Sequence, residues 1–349
     1  MVKSTYKNDE CIFLLKDLSA VMASTSLEEK EAQIRNGANY SEFITDEKPV
    51  SDEINAIFEK LLDEKKLELA TYIANVSEAI LAKQPNPVLV SLARAGSPIG
   101  ILIRRYIQFA HNMTVPHYSI SIIRDRGIDE NALNYIIKET GSTNLVFVDG
   151  WTGKGSITHE LQKAVKDFYE HTGIQLDATL AVLADPAHRS EISGTKKDIC
   201  IPNACLNSTV SGLVSRTILN RDYLSDTDFH GAKFFGHLQN QDYSNYFLDK
   251  ISEQFVNVTP SAIDASIDYA YVENCLDKVF ADFKLVDRNK IKLSIGESSR
   301  ALLRRTPVVM LIKNKNNPDL AFLLKLAEEK GVEVKEYDTF DYECITILR

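Results

Sequence analysis

Residues Leu145 to Thr158 read LVFVDGWTGKGSIT, an apolar run ending in an acid and opening into glycines, hydroxyls and one lysine. The run suits a buried strand, and Asp149 then stands at its carboxyl edge, where open parallel sheets bind ligands. Gly150, Gly153 and Gly155 let backbone amides approach an anion closely. Thr152, Ser156 and Thr158 add hydroxyls, Lys154 adds a full charge, and the following helix adds its unsatisfied amides. A 5'-phosphate suits such a cradle, and Asp149 is placed to accept hydrogen bonds from ribose hydroxyls. The Walker A pattern is absent because Gly155, not Ser or Thr, follows Lys154, and no GxGxxG follows the strand. A purely structural glycine turn is the competing reading.

A second loop of the same build lies upstream in SLARAGSPIG, Ser91 to Gly100. Ala93, Arg94, Ala95, Gly96 and Ser97 form the turn, with Pro98 near the first helical position. Arg94 is placed for a second phosphate. Two such loops on one sheet suit a ligand with phosphates at both ends. The loop Arg124, Asp125, Arg126 follows a further strand and could act as a lid. Cys205 precedes a short segment expected to turn helical near Ser208, so a thiol nucleophile is a rival chemistry. His188, His230 or His237 would have to supply its base, and spacing selects none of them.

These loops need a sheet to hold them. Short apolar runs at Val88–Ala93, His117–Ile123, Asn144–Asp149 and Asp177–Asp185 alternate with amphipathic stretches, which predicts a parallel sheet with right-handed crossovers. The first 80 or so residues read as polar helix, with Ser51 as a cap. VSGLVSRTIL reads as helical within an irregular stretch after Pro186, expected to form a hood over the sheet. The last 60 or so residues predict a small α/β sandwich, so the division falls at 1–283 and 284–349.

Composition narrows the class. The 349 residues are 44% hydrophobic and 26% charged, as in ordinary globular proteins. No apolar run approaches the roughly 18 to 20 residues of a membrane span, and no signal peptide is evident, so a cytoplasmic protein without membrane partners is expected. The five cysteines show no CxxC spacing, which argues against disulfides or structural zinc. The net charge is −9, yet Lys284 to Lys315 carries nine basic and two acidic residues. That segment therefore expects a polyanion. Its charges sit on Arg300, Arg304 and Arg305 of one helix and on Lys313 and Lys315 of one loop. Gly296, Ser298 and Ser299 at the helix start suit a phosphate backbone, and RNA is the expected partner.

The two glycine loops, in this order and spacing, resemble those of type I phosphoribosyltransferases. The resemblance implies that Asp149 to Ser156 hold the ribose 5-phosphate of phosphoribosyl pyrophosphate and that Ala93 to Ser97 hold its pyrophosphate with Mg2+. It makes Asp149 and Arg94 the catalytic residues, Asp149 also a metal ligand, and Asp185 and His188 acceptor-reading residues. The family usually carries two adjacent acids where this chain has Asp149 and Gly150.

A narrower resemblance spans roughly residues 5 to 255. RNGANYSEF, SLARAGSPIG, FVDGWTGKGSI, IPNACLNSTVSGLVSRT and DFHGAKFF look like the StiP family of bacterial proteins. That family is tied to tellurite-resistance and stress gene clusters, classed as phosphoribosyltransferase-like and also labelled cysteine protease. The tail resembles the Pelota-type RNA-binding domain. The expectation is an α/β transferase that moves ribosyl phosphate to an unidentified acceptor. A non-catalytic nucleotide- and RNA-binding module and a cysteine protease are the alternatives, and a homo-oligomer is compatible with all three.

Overall fold

The computed structural model describes residues 1–305 and 307–349, without the side chains of Leu27 and Arg304. Its centre is a six-stranded parallel sheet. The strands are β1 (Ile12–Phe13), β2 (Val88–Leu92), β3 (His117–Ile120), β4 (Leu145–Trp151), β5 (Leu180–Ala184) and β6 (Ile192–Thr195), in the order β1-β3-β2-β4-β5-β6. The helices of this part are α1 (Leu27–Arg35), α2 (Asp52–Lys83), α3 (Gly96–His111), α4 (Glu130–Thr140), α5 (Ser156–Thr172) and α6 (Ser244–Ser252). Ser51 caps α2 as expected, accepting from the Ile54 amide.

Period-two alternation sorts the central strands onto two cores. Leu89, Val146, Val148, Ala181 and Leu183 face α2 and α3 in one buried cluster. Val88, Val90, Leu145, Phe147, Leu180 and Val182 face α4 and α5 in the other. Helix α3 leaves β2 for the first face, whereas α5 leaves neighbouring β4 for the second. The two glycine loops therefore diverge at a topological switch point, the place where a crevice opens in such sheets.

The tail holds α7 (Tyr269–Asp282), β7 (Ile291–Leu293), α8 (Ser294–Arg304), β8 (Val309–Ile312), α9 (Ala321–Glu329), β9 (Glu333–Glu336) and β10 (Cys344–Ile347). Its sheet runs β7-β10-β8-β9. Helix α7, expected to close the first domain, instead buries Val272, Cys275 and Val279 against Ile291, Leu311 and Ile345 of the tail. The opposite face is covered by α8 and α9. There one apolar cluster continues from Leu302, Met310 and Phe322 into Ile199, Ile201 and Cys205 of the first part.

Two expectations fail here. VSGLVSRTIL is not helical. Gly212 sits at φ +69, and Val214 and Ile218 instead make bridges to Phe234 and Gly231. The N-terminal segment is not all helix either, since Ile12 and Phe13 pair with Tyr118 and Ser119 at the sheet edge.

Candidate functional site

The two glycine loops meet. A Cβ at Gly96 would lie 2.2 Å from the Val148 carbonyl oxygen and 3.2 Å from Asp149 Cα, so only glycine lets the first loop close on the second. Ala93, Arg94 and Ala95 then share one cavity of about 640 Å3 with Asp149, Gly153, Lys154, Gly155 and Ser156. Neither helix start carries a side-chain cap: Ala95 precedes α3, and Gly155, at φ +78, precedes α5. The first-turn amides of α5 have no intrahelical partner, whereas in α3 Pro98 has no amide hydrogen and Ser97 donates its own to the Arg94 carbonyl at 3.1 Å.

The other walls come from distant sequence. The loop before α2 gives Asp46 and Glu47, and the irregular stretch gives Asn203, Ala204, Leu206 and Arg216. The tail closes the cavity with Asn289, Lys292, Glu297, Arg300 and Leu303. The junction is tight. A Cβ at Gly296 would lie 2.2 Å from the Trp151 ring, and one at Gly153 would lie 2.7 Å from Glu297 Cγ. Tyr342 donates its hydroxyl to the Gly153 carbonyl at 2.9 Å.

Charge in this cavity is strained in one direction. Burial, then the Lys292 charge, lowers Lys154 to about 8, with Arg124 adding to the effect and Glu297 opposing it. Burial also lowers Lys292, where Glu297 opposes and Arg305 and Arg124 add. Burial lifts Asp149 to about 6, against the Gly150 amide and Arg300, while Glu297 adds to the rise. Asn203 keeps a buried side-chain oxygen without a hydrogen-bond partner.

Several expected site residues do other work. The Thr152 hydroxyl is buried and donates to Asp185, so it offers nothing to a phosphate. Thr158 and Gly150 are buried and do not line the cavity, and Ser97 is buried with its hydroxyl on Ser119 at 2.7 Å. Arg94 lines the cavity, but its guanidinium pairs with Glu47 and donates to the Val214 carbonyl at 2.9 Å. Burial alone would raise Glu47, yet Arg94 and Ser208 hold it below the ordinary glutamate value.

Of the lid residues only Arg124 reaches the cavity. Arg126 pairs with Glu42 at 3.1 Å, and the Asp125 amide donates to Glu160. Asp185 is fully buried, bound by the amides of Arg189 and Ser190 and paired with Lys196 at 2.8 Å. His188 stacks edge-on with Tyr271 of α7. Both belong to the scaffold and not to an acceptor pocket.

The RNA residues divide. Arg305, Lys313 and Lys315 are exposed, and the Arg304 side chain lies outside the described residues. Arg300 turns inward, 4.5 Å over the Trp151 ring, and lines the cavity. The start of α8 is occupied as well. The Ile295 amide donates to both Asp198 oxygens at 3.0 Å, and Ser298 and Ser299 are buried.

Cys205 is buried, and the adjoining Cys200 thiol together with burial holds its own thiol well above the ordinary value. Its expected bases are engaged elsewhere: His230 with Ser121, His237 with the Glu47 carbonyl and His188 near Asp341. Cys11 does lie 3.9 Å from His117, but burial pushes that thiol up and that imidazole down to about 4, so both stay neutral.

Sequence reasoning missed Trp151, Lys292, Glu297, Asn203 and Glu47. Lys292 carried a usable signal, because it belongs to the same basic excess as Arg300.

Residues 4–252 match the family described as tellurite-like stress resistance cysteine protease StiP, and residues 272–349 match the Pelota RNA binding domain. The cysteine protease StiP of Acinetobacter baylyi is 32% identical over 363 residues, covering 99% of this chain and 94% of that protein. These matches correct the expected activity. Family and relative are both named as cysteine proteases, neither as a phosphoribosyltransferase or other glycosyltransferase, so the donor phosphoribosyl pyrophosphate has no support. Mg2+ was expected with that donor. Among the described residues no three His, Cys, Asp or Glu side chains gather as a metal cluster.

Proposed function

The chain belongs to the StiP family, and from that premise we propose that its working site is the cationic cavity, which takes a phosphate-bearing ligand of nucleotide size. One observation carries the reading: the uncapped start of α5, the turn Ala93–Ala95, Lys154 and Lys292 all face one cavity of about 640 Å3. The size falls within the range of small-ligand sites. An anion there would relieve the mutual repulsion of the two lysines, and a ligand hydroxyl or amine would satisfy Asn203. Asp149 supplies an acceptor for sugar hydroxyls. The tail supplies RNA binding, in keeping with the domain it matches, through the exposed Arg305, Lys313 and Lys315. Free thiols at all five cysteines favour a reducing compartment, the cytoplasm. Among the described residues no helix is long and apolar enough to cross a membrane.

The test is calorimetry with inorganic pyrophosphate and nucleoside monophosphates. Binding that weakens about tenfold in Lys154→Ala is expected for the loss of one charged phosphate contact. No heat from any of these ligands would remove the reading.

Cysteine protease is the second reading, favoured by the names of the family and the relative. Cys205 is its nucleophile here because Ala204 and Leu206, on either side, form the cavity wall. Its thiol lies in the apolar seam with Ile295 and Leu302 of α8, so catalysis requires that seam to open. A thiol-reactive probe should then label the native protein, and Cys205→Ala should abolish the label. Labelling only after denaturation would dismiss this reading.

A further inference from the structure

We propose that the ligand of the cavity is the phosphate-bearing end of an RNA strand held by the tail, so that both parts of the chain form one composite RNA site. The inference rests on the cavity being a phosphate site and names the molecule that brings the phosphate. Arg300 is the reason to connect the two. It belongs to the basic helix of the RNA-binding tail, yet its guanidinium lies over Trp151 and lines the cavity beside Lys292 and Leu303.

Cations run from solvent into that space, with Glu297, paired to Arg300 at 3.3 Å, the acid among them. Exposed Arg305 is close enough to disfavour the charged form of Lys292, and Arg124 acts on the same lysine from the first part. Lys292 in turn acts on Lys154 at the glycine loop. Four cations along one path, two of them lysines whose charged forms the others disfavour, are what a chain of phosphates would neutralise. The start of α8 is docked by the Asp198 bonds to Ile295, which holds Arg300 against Trp151 at the cavity wall, where an RNA strand on the tail meets it. The walls admit a strand end or a single splayed nucleotide and exclude a duplex.

The experiment uses the full chain and short single-stranded RNA labelled at an internal base. One set carries a terminal phosphate at the 5' or the 3' end, and the other carries hydroxyls at both. Lys154→Ala lies outside the tail and outside any RNA-binding match. It should weaken RNA binding about tenfold and lower the salt slope by about one. Removing the terminal phosphate should cost a similar factor, and inorganic pyrophosphate should compete with the RNA. Arg124→Ala should act in the same direction, and a thermal melt checks that each variant is folded.

RNA binding unchanged or tightened in Lys154→Ala, while its pyrophosphate binding is lost, would mean two ligands in two sites and overturn the proposal. So would RNA and pyrophosphate bound together without competition, or indifference to the terminal phosphate. Absence of pyrophosphate binding to the wild type would instead strike the phosphate reading beneath it.

Discussion

Lys154 is the residue on which anion binding turns. It is half-buried, its ammonium donates to the Arg288 carbonyl at 3.1 Å, and burial with Lys292 lowers it to about 8. An anion favours the protonated lysine, so ligand binding draws the group back toward its ordinary value and takes up a proton near pH 8. Affinity for pyrophosphate is therefore expected to fall as pH rises through about 8. Calorimetry across that range in two buffers of different ionisation heat checks both the slope and the proton uptake. Lys154→Ala should flatten the profile. Gly96 makes a separate point about the scaffold. An alanine there would drive its Cβ into the Val148 carbonyl at 2.2 Å, where the obstacle is backbone and cannot swing aside. Gly96→Ala should destabilise the fold by about 3 kcal/mol, read by denaturant melts. Gly153→Ala meets the side-chain Cγ of Glu297 at 2.7 Å and the Leu293 carbonyl oxygen only at 3.4 Å, so it should cost less.

Among the elements, α8 joins the two parts, and Asp198 is its fastening. The Asp198 carboxylate accepts from the amides of Ile295 and Glu343, both at 3.0 Å. Burial still outweighs these bonds and raises the group to about 7, with the Glu343 charge adding to the rise. The sign follows. A folded-state value above the unfolded one means that the folded chain holds the extra proton between about pH 4 and 7. The contribution of Asp198 to stability is thus complete below that window and is lost as pH rises through it. Asp198→Asn keeps an acceptor but cannot ionise, so its stability relative to wild type should improve steadily from about pH 4 to 7. A constant difference across the window would refute this account.

The same helix shows where sequence reading stops. The glycine loops were legible because strand, turn and helix start are all local signals, and Gly96 and Gly155 sit where those signals put them. The inward turn of Arg300 was not legible, because it depends on the hold of Asp198 on Ile295, 97 residues downstream of it. Thr152 misled for a similar reason: a hydroxyl in a glycine loop reads as a phosphate donor until Asp185 from the next strand claims it. The stretch Val210–Leu219 has helical spacing, but its bridges to Gly231 and Phe234 win the competition.

At the scale of the whole molecule the question is whether the two parts fold as one. Their shared apolar cluster runs unbroken from Ile73 of α2 through Ile201 and Cys205 to Leu302 and Phe322 of the tail. Lys65 of α2 reaches Asp319 beside α9 at 2.6 Å, and Lys325 of α9 pairs with Glu53 of α2. A seam that includes fully buried side chains behaves like a domain core, not like the polar interfaces that allow independent motion. The single tryptophan of the chain, Trp151, sits on this seam, packed between Gly296 and the Arg300 guanidinium. Its fluorescence reports docking of the tail, whereas far-ultraviolet circular dichroism reports all helices at once. If the parts unfold together, the two signals should share one transition in guanidinium chloride, with equal midpoints and equal slopes. A ligand that bridges Lys154 and Lys292 should raise that common midpoint, by about 2.7 kcal/mol of stability at a hundred times its dissociation constant. A tryptophan transition at lower denaturant would show that the tail leaves first. It would also mark the condition under which Cys205 and the cavity open to solvent.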